Sequence, residues 1–224
     1  MSIAGSSATE KSLSALPVRR LGRPSDAAKR QRIVDAAAHS FFKLGFAATS
    51  IEQVAGDAGV SKVTIYSHFG DKRGLFAAAV ECECEKMRGY FSLDEMPAGT
   101  IRQRLIAIGE AMLAFLHRPE MIQFERRIAA ETETEPAIGA AFLEAGPHRM
   151  KRAFSAYLRH ACEAGELVIA DTDLAAEQFV ALCKGMGDLE HRFGAVAGPE
   201  TSQRRIAGAV DVFLAAYARV SSAR

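Results

Sequence analysis

Residues 51–70 read IEQVAGDAGVSKVTIYSHFG. Ile51, Val54, Ala55 and Ala58 recur at the spacing of one helical face. Thr49 and Ser50 stand just before them, with Glu52 and Gln53 at the capping-box offsets. Gly59 breaks this first short helix. Ser61 can cap a second one, Lys62 to Phe69, which turns Val60, Ile65 and Phe69 inward and leaves its other face free. Two short helices joined by a glycine-containing turn, here Ala58-Gly59-Val60-Ser61, form a helix-turn-helix signature. Glycine suits that turn because it adopts a left-handed backbone without strain. The second helix is too short to be stable alone, so its neighbours must hold it.

The flanking sequence supplies those neighbours. A preceding helix is expected from about Ser25 to Leu44, capped by Ser25 or Asp26 and stopped at Gly45. Its apolar positions Ile33, Ala37, Phe41 and Leu44 lie on one face. After the Gly70-Asp71 turn, Asp71 caps a fourth helix of about Lys72 to Phe91. Residues 1–24 are rich in Ser, Ala and Thr and carry Pro17 and Pro24, which reads as a flexible arm. Arg19, Arg20 and Arg23 let such an arm reach a narrow minor groove; a tail with incidental arginines fits equally well.

Charge separates this quarter from the rest. The 224-residue chain has a net charge of only +1. Residues 19–73 nevertheless hold ten basic and five acidic side chains, and residues 74–224 hold 17 basic and 21 acidic ones. A basic segment on a mildly acidic body points to an anionic partner for the first part alone.

The runs IVDAAAHSFFKLGFAATSI (33–51), Val54-Ala55, AGVSKVTIYSHF (58–69) and DKRGLF (71–76) closely resemble the DNA-binding domain of the tetracycline-repressor (TetR) family. The resemblance covers about residues 27–80 without gaps. Val63 stands where a small residue or proline is common, Ser67 replaces a frequent aromatic or larger polar residue, and Gly74 falls where Glu or Ala is usual. The resemblance implies that Lys62–Phe69 enters the major groove, where base edges are distinguishable. Lys62 would reach guanine acceptors or a phosphate, Val63 a thymine methyl, and Thr64 a base or the backbone. Ser61 and Ser67 join this DNA-binding set. Tyr66 and His68 lie farther along and suit phosphates. Thr49 would offer its hydroxyl and backbone donors to a phosphate at a helix N-terminus. Lys72 resembles the family's phosphate-binding lysine.

Beyond residue 100 the periodicity stays helical. Helices are expected at about Thr100–Leu116, Glu120–Glu131, Pro136–Leu143, from about Met150 to Ala161 before Gly165, at 173–193 with Thr172 or Asp173 as cap, and at Glu200–Val220. The fold class is therefore all-α: a three-helix helix-turn-helix domain joined by a fourth helix to a further helical domain, which the family resemblance implies is for ligand binding and dimerisation. The expected boundaries are 1–24 for the arm, 25–91 for the DNA-binding part with its connecting helix, and 92–224 for the remainder. Phe142-Leu-Glu-Ala-Gly-Pro, Tyr157-Leu-Arg and Gly165-Glu-Leu resemble the AefR-like C-terminal subgroup of the same family. That resemblance implies a homodimer formed by the last two helices, with Phe213 at the interface or in the core, and a palindromic double-stranded DNA operator. It also implies a small-molecule effector pocket. Phe115, Met121, Phe124, Phe142, Phe154 and Phe179 are its candidate lining, with His117, Arg126 and His148 as polar contacts. The fourth helix is the direct connection through which an effector would act.

Other classes are less well supported. No Gly-rich phosphate loop, G-x-S-x-G or His-Glu-x-x-His occurs, so no enzyme and no cofactor are expected. No two histidines stand four apart on one helix, and no metal site is expected, although folding could bring His117 and His148 together. No apolar run is long enough to span a membrane, and the N-terminus lacks a signal-peptide core. Cys82, Cys84, Cys162 and Cys183 read as small buried hydrophobes in a reducing cytoplasm. Two competitors remain: a thiol-based redox regulator using those cysteines, and an enzyme or carrier with a vestigial DNA-binding domain.

Overall fold

The computed structural model describes residues 26–88, 99–195 and 198–219. The basic arm, the Ser25 cap, residues 89–91 of the fourth helix and Val220 lie outside the described residues. Ten helices make up the described structure: α1 (Asp26–Leu44), α2 (Ile51–Ala58), α3 (Lys62–Phe69), α4 (Lys72–Arg88), α5 (Ile101–Leu116), α6 (Pro119–Thr134), α7 (Pro136–Ala145), α8 (Pro147–Glu163), α9 (Thr172–Arg192) and α10 (Pro199–Tyr217). The architecture is all-α, as expected. The one sheet-like pairing among the described residues is a single antiparallel bridge between Leu167 and Ala218.

Local chemistry sets the ends of the helix-turn-helix. The Ser50 hydroxyl accepts the Gln53 N–H at 3.1 Å and caps α2. Gly59 closes α2 in the left-handed region at φ 65°, and the Val60 N–H returns to the Ala55 carbonyl, which satisfies the last turn. The Ser61 hydroxyl accepts the Thr64 N–H at 3.2 Å and starts α3. Asp71 does the same for α4 through the Gly74 N–H at 2.7 Å. Gly74 has a packing reason: a Cβ there would stand 2.1 Å from the Phe69 carbonyl oxygen.

Several helix ends differ from expectation by a few residues: α6 runs on to Thr134, α7 to Ala145, and α8 already begins at Pro147. The cap of α9 is Asp171, whose carboxylate accepts the Leu174 N–H at 3.0 Å. Thr172 is unavailable for that role because its hydroxyl pairs with Ser155 of α8 at 2.9 Å. Helix α6 starts at Pro119, the residue whose lack of an N–H suits a first helical turn.

Two cores hold the chain. Ile33, Ala37 and Phe41 of α1 pack with Val54 of α2, Ile65 of α3 and Leu75 and Phe76 of α4. This first core also takes in Met121, Phe124 and Ile128 of α6 and Ile138 of α7. The Phe42 and Phe124 rings stack at 4.1 Å between centroids. The second core joins Leu105 and Ile108 of α5, Phe154 and Leu158 of α8, Phe179 and Cys183 of α9, and Val210 and Phe213 of α10. Helix α9 is interrupted at Gly185, where φ 46° and ψ −151° make a kink.

Candidate nucleic-acid interface and effector region

Helix α3 buries Ile65 completely and rests Val60 and Phe69 against the first core. Its opposite strip stands in solvent: Val63 is 76% exposed and Tyr66 47%, with Lys62 and Ser67 beside them. An apolar valine that exposed gains nothing from packing and suits a thymine methyl. The Ser67 hydroxyl donates to the Thr64 carbonyl at 2.8 Å and keeps its lone pairs open. Ser61 and Thr64 share a hydroxyl–hydroxyl bond of 2.9 Å, so both are partly committed to the cap.

Lys62 is not a free cation. Its Nζ bonds the Glu52 carboxylate of α2. That contact holds the Glu52 carboxyl below its usual range and raises the Lys62 ammonium. No spacing rule links these residues; the crossing of α2 and α3 brings them together.

Three expected phosphate contacts have partners within the chain. Thr49 is 2% exposed, and its hydroxyl donates to the Gly45 carbonyl at 2.7 Å. Its expected hydroxyl contact is therefore corrected to a buried turn-forming bond. His68 turns toward α1, with Nε2 at 3.5 Å from Asp26. Lys72 is half-buried, donates to the Ala47 carbonyl at 3.1 Å and lies 4.7 Å from the Phe46 ring centre. Burial lowers its ammonium pKa, with Glu131 and Glu135 opposing.

The fourth helix is not the sole connection between the N-terminal helices and the rest. Glu131 of α6 accepts the Phe46 and Ala47 N–H groups at 3.1 and 3.2 Å. Arg127 donates to the Phe42 carbonyl at 2.9 Å, and Arg73 pairs with Glu135. Helix α6 thus grips the α1–α2 turn directly. The sequence offered no signal for this, because the partners lie about 85 residues apart.

The nine residues expected to line one effector pocket divide among five settings. Met121 and Phe124 are sealed in the first core, with Phe142 edge-on to Phe124 at 5.7 Å. Phe154 and Phe179 are sealed in the second. Phe115 lies half-buried between the two, under the Arg118 guanidinium. His148 is exposed on α8 and pairs with Glu144 at 3.3 Å, so the imagined meeting with His117 does not occur. His117 stacks on His191 instead, at 3.8 Å between ring centres, and Arg126 donates to the His191 carbonyl at 3.4 Å. Among the described residues, no three His, Cys, Asp or Glu side chains are grouped to hold a metal ion. None of the described helices is long and apolar enough to cross a membrane.

Helices α9 and α10 leave an apolar face open. A depression of about 430 Å³ is lined by Gln178, Leu182, Val212, Phe213, Ala216 and Tyr217, among others. Exposed Leu174, Met186 and Leu189 continue along α9. Phe213 itself is 1% exposed, so it packs in the second core while also lining the depression. The thiols of Cys84 and Cys183 are pushed up to about 12 by burial. Thiols held protonated in this way are poor nucleophiles at neutral pH.

Comparison with known proteins gives a consistent picture. Residues 33–79 match the family described as bacterial regulatory proteins, tetR family, and residues 103–219 match the AefR-like transcriptional repressor C-terminal domain. The chain is 30% identical over 159 residues to the uncharacterized HTH-type transcriptional regulator YvkB of Bacillus subtilis, covering 69% of this chain and 79% of that one. It is 28% identical over 157 residues to the HTH-type transcriptional regulator SrpR of Pseudomonas putida, covering 70% of each. A solved TetR-family regulator from Mesorhizobium loti superposes with a TM-score of 0.72 at 26% identity, over 88% of this chain and all of the other. The flavonoid-responsive regulator FrrA superposes with a TM-score of 0.67 at 28% identity, over 87% and 100%.

Proposed function

The chain belongs to the TetR family of DNA-binding transcriptional regulators, and from that premise we propose that it is a homodimeric, cytoplasmic repressor released from a palindromic operator by a small-molecule effector. The observation that carries the reading is the α3 strip of Lys62, Val63, Tyr66 and Ser67, held on a buried Ile65 and left open to solvent. A helix so presented fits the major groove. Reading an inverted repeat needs two copies of it, and the open apolar face of α9 and α10 is the surface we assign to the partner copy. We keep the division into an arm (1–24), a DNA-reading part (25–91) and an effector and dimerisation part (92–224), and the site has no catalytic role in this reading. Effector binding would act on the α3 pair through α4 and through the α6 grip on the α1–α2 turn.

Recovering the chromosomal DNA bound by the protein and repeating the binding on that fragment tests this reading. An inverted repeat bound by a dimer, and bound much more weakly by the Val63→Glu variant, is expected. Binding of equal strength to unrelated fragments, or no loss in Val63→Glu, would remove it.

A further inference from the structure

The kink in α9 has an occupant. Gly185 and Gly187 have no side chains, and the Arg205 side chain of α10 lies in the notch they leave. A Cβ on Gly187 would stand 1.8 Å from Arg205 Nη1, and one on Gly185 would stand 3.2 Å from Arg205 Cδ. The Gly187 carbonyl is 2.7 Å from Nδ1 of His191, whose ring stacks on His117. Arg205, His191 and His117 thus meet at one corner, where α5 ends and α6 begins.

Two polar nitrogens in this corner are unanswered. Nη1 of Arg205 and Nε2 of His117 are buried and have no hydrogen-bond partner among the described residues. The nearest acid to Arg205 is Glu190, at a loose 3.9 Å. The other acids are spoken for: Asp188 holds Lys184 and Arg192, each at 3.2 Å, and Arg192 also reaches Glu125 at 3.3 Å. Arg126 finds only the His191 carbonyl. Among the described residues, four cations therefore face three carboxylates, before either histidine is protonated. Buried guanidinium and imidazole nitrogens left unpaired are costly, and a planar carboxylate matches both in geometry and sign. Arg205 as a whole keeps 18% of its side-chain exposure, while its Nη1 and Nε2 of His117 are covered, so a ligand reaches them only by moving the side chains over them.

We propose that this corner is a binding site for a small organic carboxylate, held by the Arg205 guanidinium and by Nε2 of His117. It deepens the effector reading and rests on it only for the consequence at the operator. Burial and the neighbouring His191 hold the His117 ring below the ordinary imidazole range. An anion favours the charged ring, so binding takes up a proton and strengthens as pH falls. The corner adjoins the start of α6, whose far end holds the α1–α2 turn through Glu131.

Benzoate is the probe, with neutral benzamide as control, on the full chain. Calorimetry and the imidazole resonances of His117 and His191 report binding. Saturable benzoate binding without benzamide binding is expected, weakened by about tenfold or more in Arg205→Gln, the loss of one charge-assisted bond. Arg205→Lys retains part of it. His117→Gln retains benzoate binding at high pH but loses the strengthening at low pH, which keeps the test open if Arg205→Gln does not fold. Equal response to benzoate and benzamide, unaltered affinity in folded Arg205→Gln, or no binding at all overturns the site. Operator release is scored separately: benzoate that binds at Arg205 yet leaves DNA affinity unchanged preserves the site and removes its role as the effector site.

Discussion

Glu52 of α2 holds Lys62 of α3, and so the recognition helix carries its own counter-ion. In the proposed reading, DNA phosphate and Glu52 would compete for the same ammonium. Glu52→Gln is expected to tighten operator binding several-fold at low salt, with the gain shrinking as salt screens the competition. Both groups are exposed, so thermal stability stays nearly constant. Fluorescence anisotropy across a salt series checks this; weaker binding in Glu52→Gln would mean that the carboxylate itself helps to read DNA.

Gly74→Ala distinguishes propensity from packing. Alanine in a helix interior ordinarily gains about 1 kcal/mol over glycine. Here its Cβ would collide with the Phe69 carbonyl, and backbone cannot swing aside as a flexible side chain does. A loss of about 1–3 kcal/mol is expected, visible as a lower melting temperature. A stabilised variant would show that the turn between α3 and α4 relaxes freely.

Glu131→Gln leaves the shape of α6 but weakens its hold on the Phe46 and Ala47 amides. A loss of about 1–3 kcal/mol is expected, the scale of hydrogen bonds to a charged group. Amide exchange at Phe46 and Ala47 should accelerate more than exchange in α9. Uniform acceleration would place the effect on global stability alone.

Val212 and Phe213 are adjacent in α10 and should answer differently to charge. Val212 is 57% exposed and Phe213 1%. Val212→Asp is expected to give folded monomers by light scattering and circular dichroism. Phe213→Glu would bury an unpaired carboxylate and cost several kcal/mol, unfolding the chain instead. A stable dimer in Val212→Asp would move the interface elsewhere.

The thiols give a pH-dependent prediction. A pKa raised to about 12 leaves Cys84 and Cys183 protonated at neutral pH, and reactivity would rise only as pH approaches that value. Peptide mapping after iodoacetamide treatment at pH 7.5 is expected to find both unmodified while Cys82 and Cys162, which are half-buried, react first. Early labelling of Cys84 would reopen redox control.

Local chemistry was legible and long-range pairing was not. Ser50, Gly59 and Ser61 set the helix ends from their own side chains or lack of one, so reading them needs no knowledge of the rest of the chain. The apolar stripe of Ile33, Ala37 and Phe41 named its buried face for the same reason. Periodicity says that Phe213 is covered, but not whether its own chain or a second copy covers it. The stacking of His117 on His191 and the seating of Arg205 on Gly187 join segments 74 and 18 positions apart through a kink that no residue pattern announces. The Thr49 hydroxyl was misplaced because a helix N-terminus looks the same from sequence whether its first turn faces solvent or a carbonyl.

The stacking of Phe42 on Phe124 has a consequence for how the chain can be cut. The core beneath the recognition helix is finished by α6 and α7, not by α1–α4 alone. A fragment ending near residue 91 would leave the rings of Phe42 and Phe76 wet and the α1–α2 turn without its carboxylate. Such an excised reader would be a loose, protease-sensitive helical ensemble instead of a miniature DNA-binding module. Swapping the first 91 residues onto another regulator's body would succeed only where the recipient's sixth helix carries a ring and a carboxylate at matching heights.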